Sequence, residues 1–241
     1  MAYWQGDGTS SGLVGLAYES LTSVYSGTNP SGDSDSNRDN YPPIFQSMYT
    51  QGLSSASFSL ALERSTGGYI AFGGLPPVSG VSNSTSFTST PIQYLAQVSP
   101  DQYTFYAITA GITYNKKSSS TTQYIVDSGT TLIYTPTTLA KEVNAAFSPA
   151  ARYLSNQDAY FVDCNATPPT FEVKIAGTSF TVNPVDLIYQ TEVDQSTGLC
   201  LTGIQDGGSG PYILGDVFLQ NVVAVFDVGA NEMRFAAHET Y

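Results

Sequence analysis

Charge is what this sequence has least of. Only 12% of its 241 residues are Asp, Glu, Lys or Arg, about half the usual quarter of a soluble chain. Within that small set, 20 acids face 8 bases, a formal net charge of −12. No basic surface can be built from so few cations, which excludes a nucleic-acid or anionic-membrane partner. Cysteine is scarce too, with Cys164 and Cys200 the only pair. Two thiols with no His or Cys neighbour at ligand spacing cannot make a zinc site, and they read as one disulfide. The sole histidine, His238, lies three residues from the C-terminus. A Ser-His-Asp arrangement would hang on a tail that normally frays, so His238 is expected to be a solvated terminal residue. No stretch is apolar for long enough to span a membrane, and Met1 to Asp7 has neither the basic segment nor the apolar run of a signal peptide. Two sequons, at Asn83 and Asn165, nonetheless fit a secretory route. A chain that looks secreted without the address is expected to be missing its beginning.

What the sequence does have is apolar and aromatic: 41% hydrophobic residues, with 17 Tyr and 12 Phe, exclude low-charge disorder. Segments such as Ser57–Leu62, Tyr69–Phe72, Tyr106–Ile112 and Thr170–Ile175 alternate or run apolar between Gly, Pro and Ser clusters, the pattern of short strands. An all-β class follows. Two helices are predicted, one over Pro43–Gly52 ending on a C-cap glycine, the other over Thr137–Phe147 with a Thr ahead of a Leu, Val, Phe face. Ser26–Asn40 and Ser79–Ser89 read as exposed loops, and Lys116–Thr122 as a hairpin tip. Phe161, Phe171, Phe180 and Tyr189 are spaced as strand core residues. In acid the chain would carry little more positive charge than its 8 Lys and Arg, against about thirty for ordinary composition. That suits a protein that stays compact at low pH, and it equally suits a secreted acidic protein with no acid habit.

The sharpest motif is Tyr124–Thr131. An apolar strand delivers Asp127 to a turn whose Gly129 permits close backbone approach, while Ser128, Thr130 and Thr131 offer hydroxyls around the carboxylate. Such a setting fixes an acid in place and tunes its proton affinity by hydrogen bonding. A weaker echo links Gly12–Tyr18 with Tyr212–Phe218, each with two branched apolar residues, then Gly, then a short apolar continuation, and suggests two related halves. Asp216 and Asp227 are expected in ordinary hydrogen-bonded or turn roles. Asp7, in an Asp-Gly-Thr with no apolar strand before it, does not substitute for an Asp-Ser/Thr-Gly turn. The run Asp206–Pro211 has no Lys after it and reads as a turn before a strand, not a phosphate loop.

Ile125–Thr131, followed by Ile213–Asp216 and then by Val223–Asp227 with Met233–Ala236, resembles the second lobe of pepsin-like aspartic endopeptidases, most of all the secreted fungal members. The cysteine pair falls between the first two motifs, where that family places its C-lobe disulfide. Gly12–Tyr18 is similar to the closing strand of the family's first lobe, and Phe45–Met48 with Gly52-Leu53 to the helix and turn after it. The resemblance implies a pepsin-like acid protease fold with one nearly complete β lobe, a partial first lobe and few short helices. It divides the chain at about residue 95: residues 1–95 as first-lobe remnant and interlobe sheet, residues 96–241 as the C-terminal catalytic lobe.

The resemblance also implies a mechanism. The family pairs two Asp-Ser/Thr-Gly turns, one per lobe, whose carboxylates share a proton and act as general base on water and general acid toward the peptide carbonyl. This sequence has the tripeptide once, at Asp127, and none upstream of Gly12. Asp127 is then the catalytic residue, Ser128, Gly129 and Thr130 support its loop, and Ile125 and Thr131 face the substrate cleft. A peptide or protein substrate, no metal, no cofactor and an extracellular or vacuolar setting are implied. A complete dyad needs the missing first lobe or a second copy supplying its own Asp127, and a lobe kept as a non-catalytic binding scaffold is the third alternative.

Overall fold

Residues 12–64, 67–82 and 85–238 are described by a computed structural model. The segments that alternate in sequence pair into sheets. A five-stranded antiparallel sheet runs in the order Gly67–Phe72, Ser57–Glu63, Val222–Asp227, Glu232–Ala237, Thr88–Pro91. Its central strand, Val222–Asp227, is apolar through Phe226 because neighbouring elements bury both of its faces. Residues on either side of position 95 therefore share this sheet.

The larger sheet has a seven-strand path from Thr178–Val182 through Phe171–Ile175, Ala107–Tyr114, Thr122–Val126, Tyr212–Leu214 and Ile133–Thr135 to Ile204–Asp206. Two of its pairings are parallel. Tyr212, Ile213 and Leu214 lie beside Tyr124, Ile125 and Val126, and Ile204–Asp206 runs alongside Ile133–Thr135. The first of these brings Gly215 next to the residue that follows Val126, which is Asp127. A four-stranded sheet, Arg152–Leu154, Ala159–Val162, Cys200–Thr202 and Ile188–Val193, is fastened by the disulfide Cys164–Cys200 with Cα atoms 5.1 Å apart.

Both predicted helices form, over Ile44–Thr50 and Thr137–Ala145. Gly52 adopts φ +71° just past the first, and Leu53 N–H donates back to Met48 O at 2.9 Å, the hydrogen bond that closes a helix on a left-handed residue. The second helix departs from expectation at its start. Pro136 occupies the N-cap, and the Thr137 hydroxyl donates instead to Asp206 Oδ1 at 2.8 Å.

Three further expectations fail. Gly12–Leu16 is not a strand: no strand lies beside it among the described residues, and Leu13 and Val14 are 82% and 69% exposed. His238 is buried, at 5% exposure, because its N–H donates to Asn221 O at 3.0 Å and draws the end of the chain inward. Burial also lowers its pKa, since an imidazolium loses solvation there. Phe161, Phe171 and Phe180 lie in the core, whereas Tyr189 is on the surface, the strand Ile188–Val193 burying only its first residue.

Candidate active site

Asp127 stands at the C-terminal end of Thr122–Val126, half-buried, with its N–H donating to Leu214 O at 3.1 Å. The turn after it folds back onto its own carboxylate. Gly129 N–H donates to Oδ1 at 2.9 Å and the Thr130 hydroxyl to Oδ2 at 2.7 Å, so each oxygen has a donor. A Cβ at Gly129 would sit 3.2 Å from Oδ1, a tight approach that the carboxylate would have to yield to by a few tenths of an ångström. Ser128 is exposed, with no side-chain hydrogen bond among the described residues. Thr131 is exposed as well; its carbonyl accepts from Val217 N–H at 2.9 Å, and its side chain does not line the cavity beside Asp127.

The loop is held from below by the chain that follows Tyr212–Leu214. Asp216 N–H donates to Thr130 O at 2.8 Å. At Gly215 the backbone passes so close that a Cβ would lie 2.2 Å from Thr130 O and 2.5 Å from Leu132 O. Only glycine fits that crossing. The Asp216 side chain is drawn in with it, and its Oδ1 is buried without a donor among the described residues. Burial first, and the charge of Asp127 second, push its pKa up to about 7. The sequence-based expectation of an ordinary hydrogen-bonded role for Asp216 is thus corrected at that oxygen. Asp227 does take such a role, accepting from Ala230 N–H at 3.0 Å and from Arg234 Nη2 at 3.0 Å.

Asp127 and Ser128 open onto a cavity of about 370 Å³ whose walls include Leu16, Phe105, Tyr106 and Ile125. Ile125 is buried against Leu95 and Ala107. The segment that failed to form a strand contributes part of this wall, pinned by the Tyr106 hydroxyl donating to Leu16 O at 2.7 Å. An apolar hollow with one fixed carboxylate at its mouth can take an apolar side chain and offer a proton acceptor to whatever bond lies beside it. Among the described residues no group of three or more His, Cys, Asp and Glu could hold a metal ion.

Sequence reasoning did not find the network that ties the two large sheets together. Arg64, beyond the end of Ser57–Glu63, donates Nε to Asp186 Oδ1 at 2.5 Å and Nη2 to Asp186 Oδ2 and to Asn221 Oδ1, while Asn221 Nδ2 returns a hydrogen bond to Asp186. The partners are 122 residues apart, and no local pattern marks either one.

Residues 4–238 match the sequence profile of the eukaryotic aspartyl proteases. The chain belongs to that family. It is 45% identical, over 98% of its length, to a probable aspartic-type endopeptidase of Aspergillus fumigatus. It is 30% identical over 98% of its length to penicillopepsin-1 of Penicillium janthinellum, and 29% identical over 96% to an acid protease of Saccharomycopsis fibuligera. Its pepsin-like membership and β-rich fold are those the motif series implies. The match covers 55%, 65% and 58% of those three proteins, so the chain spans little more than half the length of the relatives it matches. The Cys164–Cys200 disulfide expected from the motif order is present. Asn165 is exposed, whereas Asn83 lies outside the described residues. No helix among the described residues is long and apolar enough to cross a membrane.

Proposed function

We propose that the chain serves an aspartic endopeptidase as one half of its catalytic apparatus, Asp127 supplying one carboxylate of a two-Asp dyad that hydrolyses peptide bonds in acid. The observation that carries this reading is the Asp127 carboxylate, fixed by Gly129 N–H and the Thr130 hydroxyl at the mouth of an apolar cavity. Two carboxylates that face each other closely cannot both ionise, so one proton is shared between them. The ionised member takes a proton from water as the water attacks the peptide carbonyl, and the protonated member gives its proton to the carbonyl oxygen. Ile125, on the cavity wall, meets a substrate side chain; Ser128, exposed at the turn, faces the partner lobe; Thr131, exposed and outside this cavity, meets substrate only in the part of the cleft that the other lobe completes.

The second carboxylate belongs to another Asp-Ser/Thr-Gly turn, which this sequence does not carry. A first lobe outside residues 1–241 supplies it, and residues 96–241 act as the catalytic lobe beside the sheet shared with residues 1–95. An extracellular or vacuolar setting fits the disulfide, which persists in oxidising compartments. The test is cleavage of a denatured protein at about pH 4, with mass in solution measured on the same sample. The chain alone is expected to be an inert monomer that gains turnover when mixed with the complementary half of the Aspergillus fumigatus relative. Turnover by a homodimer of the chain would replace this reading with a twofold dyad built from two copies of Asp127. A mixture that never cleaves would leave the lobe as a binding scaffold.

A further inference from the structure

The strand that carries Asp127 has a second face. Side chains alternate along a strand, so Tyr124 and Ile125 point to opposite sides of the sheet, as do their register partners Tyr212 and Ile213. Ile125 and Ile213 pack together on the side of the Asp127 cavity. Tyr124 and Tyr212 lie on the other side, ring centroids 5.9 Å apart, and line a separate groove of about 560 Å³ between the hairpin tip and the helix Thr137–Ala145. That volume is in the range that holds a drug-sized ligand, roughly 300–1,000 Å³.

The groove has unspent hydrogen-bonding capacity. Tyr124 is only 1% exposed, yet its hydroxyl has no partner among the described residues. Burial raises its pKa, so the hydroxyl remains a donor. On the rim, the hydroxyls of Ser120, Thr121 and Thr122 are likewise without a protein partner among the described residues. Glu142 accepts from the Tyr114 hydroxyl at 2.6 Å through Oε2, which leaves Oε1 for a ligand. One cation, Lys117, lies 5.8 Å from the centre of the Tyr114 ring.

These groups select among ligand classes. One Lys and one Glu cancel, and a chain of net charge −12 opposes a polyanion. An added peptide strand needs a free sheet edge, but Ala107–Tyr114, Thr122–Val126 and Tyr212–Leu214 are each paired on both sides. An amphipathic helix needs a continuous apolar floor, and here hydroxyls interrupt it. What remains is a ligand with an apolar face to lie against the half-buried Tyr212 ring and a periphery of hydroxyls to meet Ser, Thr, Tyr and carboxylate groups. We propose that this groove, on the sheet face opposite the Asp127 cavity, binds a neutral oligosaccharide of two or three sugar units. Bound there, the chain would be held to glycan-bearing material while the Asp127 face stays open.

The test is isothermal titration of the full chain with chitotriose, laminaritriose and maltotriose. At least one is expected to bind saturably and one to one, at about millimolar affinity or tighter. Tyr212→Ala is expected to weaken it by about tenfold or more by removing a wall of the groove. Tyr124→Phe keeps the ring and the fold but removes the hydroxyl, and is expected to weaken it by about three- to tenfold. The proposal is overturned if none of the three binds up to about 10 mM, if binding is unmoved by both substitutions, or if an unglycosylated peptide occupies the groove in place of the sugars.

Discussion

Asp216→Asn isolates the cost of burying an acid beneath the Asp127 loop. The folded chain holds the Asp216 proton up to about pH 7 where an ordinary aspartate releases it at 3.8. Below pH 3.8 folded and unfolded chains both carry the proton, and the stability that the group contributes is fully present. As pH climbs from 3.8 toward 7 the unfolded chain sheds the proton first, so stability falls, and above about 7 the whole contribution is lost. At 1.36 kcal/mol per pH unit this comes to about 4 kcal/mol, and partial exposure of the side chain reduces it to about 2 kcal/mol through solvent screening. Asparagine keeps the shape and cannot ionise. Urea unfolding of both proteins at pH 3.5, 5, 6.5 and 7.5 is the assay, read as the difference between mutant and wild type at each pH. That difference is expected to move in favour of the mutant by about 2 kcal/mol across the series, nearly all of it between pH 4 and 7. A difference that stays constant with pH would refute the assignment of the buried acid.

Other perturbations test other joints. Gly215→Ala sets a methyl against Thr130 O and Leu132 O and is expected to cost about 3 kcal/mol or more, seen as a large fall in melting temperature; an unchanged melting temperature would show that the crossing is looser than described. Arg64→Ala leaves Asp186 buried beside Asn221 without its cation, and denaturant titration at pH 7 is expected to show a loss of about 3–5 kcal/mol. The double substitution Cys164→Ser with Cys200→Ser opens a loop of 36 residues and is expected to cost about 3–4 kcal/mol, measured against the oxidised wild type under non-reducing conditions. Thr130→Val removes the hydroxyl that holds Asp127 Oδ2 and is expected to reduce turnover of the reconstituted enzyme by at least about tenfold while leaving the fold intact.

What the sequence made legible was local. Asp127 and its turn were readable because the strand, the glycine and the hydroxyl donors all fall within Tyr124–Thr131, and the hydrogen bonds that fix the carboxylate span two and three residues. The helix over Ile44–Thr50 was readable for the same reason, its terminating glycine being adjacent. The likeness of Gly12–Tyr18 to a closing strand was not met because strand formation depends on a neighbour: Tyr212–Leu214 has Thr122–Val126 beside it, and Gly12–Leu16 has no such strand among the described residues. Its apolar residues instead wall the cavity next to Asp127. The burial of Asp216 follows from a crossing between chain segments about eighty-five residues apart, and that of His238 from a hydrogen bond to Asn221. Neither leaves a mark in the residues around it.

The central claim is that Asp127 is one of the two carboxylates that move the proton. Its most direct test is the rate of peptide cleavage at about pH 4 by the chain reconstituted with a complementary first lobe, compared between wild type and Asp127→Asn. Turnover by the wild type with at least about a thousandfold loss in the mutant is the expected result, since members of a catalytic pair act as a unit. Cleavage that survives in Asp127→Asn, or none from the reconstituted wild type, would contradict it.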